Sequence, residues 1–149
     1  MIAKGGDGRL AVQLAAFSDE RGARWLERAL VVHGQDGMDE ITTTTKSWAA
    51  SLENGKVREI EIAPEEAGVK RAAMAELKGG DPAHNAEAIH KVLRGEKNAF
   101  RDIVVLNSAA ALMVAGKAHD LKQGAALAVQ SIDSGKAKAA LDTLKRICA

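Results

Sequence analysis

Several residue types are scarce in this chain, and each scarcity narrows its chemistry. Cys148 is the only cysteine. No intrachain disulfide can form, which suits a reducing cytosol, and no neighbouring residue supplies the positioned base that a nucleophilic thiol needs. Aromatic residues are limited to Phe17, Trp25, Trp48 and Phe100, with no tyrosine. The core must therefore come from Ala, Leu, Val and Ile, and stacking platforms for bases are nearly absent. Charge of either sign is not in excess: 21 basic and 20 acidic residues leave a net charge of +1. That balance argues against a dedicated nucleic-acid binder. No apolar run reaches the ~18 residues of a membrane span. The richest stretch, Ile103 to Gly116, is interrupted by Asn107 and Ser108. The segment Leu10 to Phe17 is short, contains Gln13 and is followed by Asp19 and Glu20, so it makes a poor signal peptide.

What is present is globular. The 149 residues are 46% hydrophobic and 28% charged, enough for one domain with a buried core. Residues 1–9 read as a flexible lead and residues 10–149 as the folded part. Leu10, Val12, Leu14 and Ala15 suggest a helix. Ser18-Asp19-Glu20-Arg21 reads as a break or a new helix start, with Trp25, Leu26, Ala29 and Leu30 at helical spacing behind it. Leu30-Val31-Val32 then forms a short buried strand. The β-branched run Thr42 to Thr45 favours extended backbone. A β-hairpin is expected from about Trp48 to Ile62 around Asn54-Gly55. A turn of helix at Pro64 to Ala67 interrupts a loop that runs to Asp81. Four helices follow: from Pro82, capped by Asp81, to about Leu93 before Gly95; from about Phe100 to Ala115 before Gly116; from near Asp120 to Ser134-Gly135; and from Lys136 to Ile147. A strand-bearing first half and a helical second half indicate an α/β fold with too few strands for a complete doubly wound domain.

Three segments could carry chemistry. In Val31-Val32-His33-Gly34-Gln35-Asp36-Gly37-Met38-Asp39-Glu40 a buried strand runs into glycines and three carboxylates. Ligands of open α/β sheets lie outside the carboxyl ends of strands. Adjacent Asp39 and Glu40 either offer hard oxygen ligands to Mg²⁺ or form a solvated acidic turn. His33 either ligates or transfers a proton, or simply bonds the backbone at a strand end. Lys78-Gly79-Gly80-Asp81-Pro82-Ala83-His84-Asn85-Ala86 could offer backbone N–H groups to an anion, but Asp81 at the cap would repel one, and helix capping is the simpler reading. Asn107, inside an apolar helix, needs a partner and could bond across to a loop. Lys117, Lys122, Lys136, Lys138, Lys145 and Arg146 read as solvated helix-face charges.

The loop ending Asp36-Gly37-Met38-Asp39-Glu40-Ile41-Thr42 resembles the C-terminal part of the anthranilate phosphoribosyltransferase family. So do Leu77-Lys78-Gly79-Gly80-Asp81-Pro82 through Ala86, Arg101-Asp102-Ile103 through Leu112, and Ile132-Asp133-Ser134-Gly135-Lys136-Ala137, which follow in the family's order. The resemblance spans about Leu30 to the end and implies part of the α/β domain of a nucleoside phosphorylase/phosphoribosyltransferase-like fold. It implies transfer of phosphoribosyl from phosphoribosyl pyrophosphate to anthranilate in tryptophan biosynthesis, in the cytoplasm, with Mg²⁺ held by Asp39 and Glu40. It assigns no catalytic residue here. The family's helical dimerisation domain, its Gly-Thr-Gly-Gly-Asp, Asn-x-Ser-Thr and Lys-His-Gly-Asn segments and its anthranilate-contacting Arg have no counterpart, and Gly5-Gly6-Asp7 is a chance echo of the first of these segments. Thr45-Lys46-Ser47 stands where the family has Gly-Pro-Thr. The expectation is therefore an incomplete domain, inactive alone, that binds neither nucleic acid nor membrane. It would self-associate, as a homodimer or otherwise, through the surface an absent domain would cover. The alternatives are a nucleoside phosphorylase-like paralogue and a non-catalytic interaction module.

Overall fold

The computed structural model describes residues 12–17 and 26–148. Four strands come first: β1 (Val12–Phe17), β2 (Leu26–Gly34), β3 (Ser47–Glu53) and β4 (Lys56–Ile62). They form one antiparallel sheet in sequence order. Four helices follow: α1 (Pro82–Leu93), α2 (Ala99–Val114), α3 (Leu121–Asp133) and α4 (Lys136–Cys148). Between sheet and helices lie two 3₁₀ turns, Pro64–Ala67 and Met74–Leu77.

Two expectations about the first strands are corrected. The residues read as a helix at Val12, Leu14 and Ala15 lie in β1, and those read at helical spacing at Leu26, Ala29 and Leu30 lie in β2. Val12, Leu14 and Ala16 also satisfy a period of two, as do Leu30 and Val32, so three- and four-residue spacings among small apolar residues did not discriminate. Leu10, Trp25, the lead at 1–9 and the break at 18–21 lie outside the described residues. The threonine run is corrected too. Thr43–Thr45 form bends, and strand β3 starts only at Ser47, because the Thr42 and Thr44 hydroxyls hold the preceding loop through Asp36. The β3–β4 hairpin forms as expected, with Asn54 (φ 51°) and Gly55 (φ 70°) supplying the two positive dihedrals of its tight turn.

Register fixes the two faces of the sheet. Val32 pairs with Ala49, which pairs with Ile60; Gly34 pairs with Ser47, which pairs with Ile62. From this face Leu30, Val32, Ala49 and Ile62 enter one core with Leu106, Ala109 and Ala110 of α2 and Leu121, Ala125 and Ala128 of α3. The opposite face carries His33, Trp48 and Glu61 in one cross-strand row. Trp48 is 55% and Val57 68% exposed. The helices start where side chains answer free N–H groups: Asp81 accepts from the His84 N–H at 2.8 Å, Asn98 from Arg101 at 2.9 Å and Asp120 from Gln123 at 2.7 Å. Among the described residues no helix is long and apolar enough to cross a membrane.

Candidate functional site

The carboxyl end of β2 turns sharply. The Gly34 N–H donates to the Met38 carbonyl at 2.9 Å, and the Gly37 N–H donates back to the Gly34 carbonyl at 3.0 Å. Gly34 is dictated by space: a Cβ there would lie 2.5 Å from Asp36 Oδ1 and 3.1 Å from Thr42 Cγ2. Asp36 is the strut of the loop. Its Oδ1 accepts from the Met38 N–H at 3.1 Å, and its Oδ2 accepts from the Thr42 hydroxyl at 2.6 Å and from the Thr44 hydroxyl. Burial pushes its carboxyl up, but those three donors outweigh burial and hold it below the usual carboxylate range. Thr42 is itself fixed, its N–H donating to Ser47 Oγ at 3.0 Å. The Gln35 N–H reaches the Lys46 carbonyl at 3.0 Å, and the Gln35 and Lys46 side chains both meet Glu61 on β4.

The far end of the loop is tied to the helical layer. Asn107 Oδ1 accepts from the Ile41 N–H at 3.0 Å, while Nδ2 donates to the Ile41 carbonyl at 2.8 Å and to the Ile103 carbonyl at 3.0 Å. The expectation that this polar residue bonds across to a loop is met, and the loop is the acidic one.

Asp39 and Glu40 sit between these two anchors. Asp39 is exposed and Glu40 half-buried. Burial first, then the charges of Asp39 and Asp36, pushes the Glu40 carboxyl up. Crowded negative charge is what a cation relieves. No group of three or more His, Cys, Asp and Glu side chains is placed to hold a metal ion among the described residues. A closed transition-metal site of the kind built from three or four protein ligands is not formed by them. Two carboxylates are the donor set of Mg²⁺ when substrate phosphates and water complete the shell, so the residues present fit that ion.

The other candidates take structural parts. His33 does not bond the backbone. Its ring stacks on Trp48 with centroids 6.4 Å apart, and both ring nitrogens are buried without a partner. At the second loop the capping reading stands. The Gly80 N–H donates to Asn85 Oδ1 at 2.9 Å and the His84 N–H to Asp81, so two of the donors an anion would need are taken. The helix lysines and Arg146 are exposed, as is Cys148. A cleft of about 430 Å³ between the sheet and α2–α3 does not include the acidic pair. Sequence reading missed the roles of Asp36, Thr42 and Thr44. The available signal was a third carboxylate within hydroxyl reach of a threonine run.

Comparison with known proteins places these features among relatives. The sequence model described as the glycosyl transferase family, a/b domain, matches residues 10–138. The chain is 57% identical over 118 residues to the anthranilate phosphoribosyltransferase of Parvibaculum lavamentivorans, covering 79% of this chain and 35% of that protein. It is 59% identical over 115 residues to that of Brucella abortus, covering 77% and 34%. Among solved structures, the anthranilate phosphoribosyltransferase of Thermus thermophilus aligns with a TM-score of 0.70 at 38% identity, over 78% of this chain and 34% of that one. The Saccharomyces cerevisiae enzyme in complex with phosphoribosyl pyrophosphate and Mg aligns at 0.70 and 23% identity over 76% and 33%, a likeness of fold. The chain spans about a third of the length of the curated relatives it matches.

Proposed function

The chain belongs to the glycosyl transferase family, a/b domain, and from that premise we propose that it is the diphosphate- and Mg²⁺-binding part of an anthranilate phosphoribosyltransferase acting in the cytoplasm. The observation that carries this reading is the acidic pair Asp39–Glu40, held between the Asp36 and Asn107 anchors at the carboxyl end of β2. In the proposed reaction the anthranilate amino nitrogen bonds to the anomeric carbon of phosphoribosyl pyrophosphate. The carbon–oxygen bond to pyrophosphate breaks, and the amine loses a proton. Asp39 and Glu40 would hold Mg²⁺, which when bound neutralises the departing diphosphate. The residues of this chain do the positioning. Asp36, by accepting from the Met38 N–H and from the Thr42 and Thr44 hydroxyls, ties the two sides of the loop together around the acidic pair, and the N-terminal side of the loop is stapled to β4 through Glu61. A preorganised counter-charge at the leaving group lowers the barrier because charge builds there in the transition state.

The resemblance gives this sequence no counterpart of the family's ribose-phosphate-cradling and anthranilate-contacting segments, so we expect this chain alone to bind phosphoribosyl pyrophosphate without turning it over. The test is calorimetric titration with phosphoribosyl pyrophosphate, with and without Mg²⁺, on the chain and on Asp39→Asn/Glu40→Gln. Mg²⁺-dependent binding lost in the double variant supports the reading. Binding that ignores Mg²⁺ or survives the variant contradicts it. A second reading, an interaction module, is favoured by one observation: Trp48 and Val57 stand exposed on the sheet face opposite the helices. It predicts self-association through that face, read as a concentration-dependent sedimentation coefficient that Trp48→Lys abolishes.

A further inference from the structure

We infer that Asn107 is a positioning residue for the acidic pair, clamping the peptide groups on either side of Ile41 and thereby fixing the backbone that carries Glu40. The inference rests on the reading of Asp39–Glu40 as the cation site. The Ile41 N–H belongs to the Glu40–Ile41 peptide and the Ile41 carbonyl to the Ile41–Thr42 peptide. One side-chain amide holds both, at 3.0 and 2.8 Å. Rotation about Glu40 ψ would swing the Ile41 N–H off Asn107 Oδ1. The amide cannot flip to follow, because its Nδ2 also donates to the Ile103 carbonyl at 3.0 Å, and a flip would set donor against donor and acceptor against acceptor. The base of the clamp is rigid. Asn107 follows Leu106 and precedes Ala109 and Ala110, all three 0% exposed, on the helix that packs under the sheet. Ile41 is also 0% exposed, so its side chain and its backbone are both pinned while the next residue toward the N-terminus, Glu40, remains half-buried at the surface. An ordinary helix-to-loop tie needs one hydrogen bond. Three convergent bonds on one amide, two of them to the residue that follows a carboxylate pair, set an orientation.

The test compares the chain with Asn107→Leu, which removes all three bonds at similar volume, and Asn107→Asp, whose second oxygen would set acceptor against acceptor at the Ile41 and Ile103 carbonyls and so drive the side chain off Ile41 altogether. Val105→Ala, a buried apolar truncation on the same helix (Val105 is 3% exposed), controls for destabilisation. Two readouts are taken: amide hydrogen exchange resolved at Ile41 and within β2, and the affinity for phosphoribosyl pyrophosphate in the presence of Mg²⁺. Losing one such hydrogen bond corresponds to about a tenfold change in an equilibrium constant. In both Asn107 variants the Ile41 amide should exchange about tenfold faster or more while β2 amides keep their rates, and the affinity should fall about tenfold. Val105→Ala should change neither selectively. Unchanged Ile41 exchange in the Asn107 variants, or an equal loss of affinity in Val105→Ala, overturns the inference. If the unaltered chain shows no Mg²⁺-dependent binding, the functional reading fails, and the exchange at Ile41 still decides the clamp. If Asn107→Leu does not fold, Asn107→Asp carries both readouts.

Discussion

Replacing Asp36 by Asn tests the loop with almost no change of shape. The carboxylate accepts three hydrogen bonds, from the Met38 N–H, the Thr42 hydroxyl and the Thr44 hydroxyl. A hydrogen bond to a charged group contributes about 1.5–3 kcal/mol and a neutral one about 0.5–1.5. Three such exchanges would remove about 3 kcal/mol in a dry interior. Asp36 is only partly buried, and its removal also relieves repulsion on Glu40, so the expected loss is about 1–2 kcal/mol. The pH dependence has a definite sign. The folded carboxyl lies below its unfolded value, so the charged form stabilises the fold above the unfolded pKa of about 3.9, and that contribution is lost as the pH falls through the lower folded value. Urea denaturation at a series of pH values measures it. Asp36→Asn should be less stable than the parent at pH 7 by the stated amount, with the gap closing below about pH 4. A variant as stable as the parent at pH 7, or a gap that widens in acid, refutes the strut.

Gly124→Ala should destabilise by about 2–3 kcal/mol, because its Cβ would sit 2.7 Å from the Ala109 carbonyl oxygen and 2.8 Å from its Cα, forcing α2 and α3 apart; a denaturant midpoint at the parent value would contradict this. Arg101 is 4% exposed and its Nη2 meets Asp133 at 2.7 Å, while Nη1 has no partner. Asp133→Ala, which strands the guanidinium, should therefore cost about 2 kcal/mol, and Arg101→Met clearly less; the reverse order would refute the argument. Glu40 has the opposite sign to Asp36. Its folded carboxyl is raised, chiefly by burial, so its charged form opposes folding, and stability is lost as the pH rises through the raised value. Glu40→Gln should raise stability at pH 7 without divalent cation, with the gain fading in acid, and Mg²⁺ with phosphoribosyl pyrophosphate should stabilise the parent but not the variant.

The helical half was readable because its punctuation is local. Asp81-Pro82 and Asp120 start helices, and Gly95, Gly116 and Gly135 stop them at positive φ. The turn Met74–Leu77 was not readable from a cap, since Ala73 has no accepting side chain; its only signal is Glu76, which reaches back to the Ala73 N–H at 2.8 Å. β1 and the start of β2 escaped because alanine-rich spacing satisfies helix and strand alike. In the site, the acidic pair was visible as adjacent residues after a buried strand. Asn107 was visible as a polar residue out of place in an apolar helix, but Ile41, its partner 66 positions away, was not, since a lone sequence carries no record of which distant backbone groups a side chain meets. The role of Asp36 depends on the folded loop bringing two hydroxyls onto one oxygen.

The most direct test of the central claim uses Mn²⁺ as a paramagnetic substitute for Mg²⁺. With phosphoribosyl pyrophosphate present, amide resonances of the chain are followed as substoichiometric Mn²⁺ is added. The account predicts broadening centred on Met38 to Ile41, dependent on phosphoribosyl pyrophosphate and absent from Asp39→Asn/Glu40→Gln. Broadening centred elsewhere, or persisting in the double variant, would contradict it.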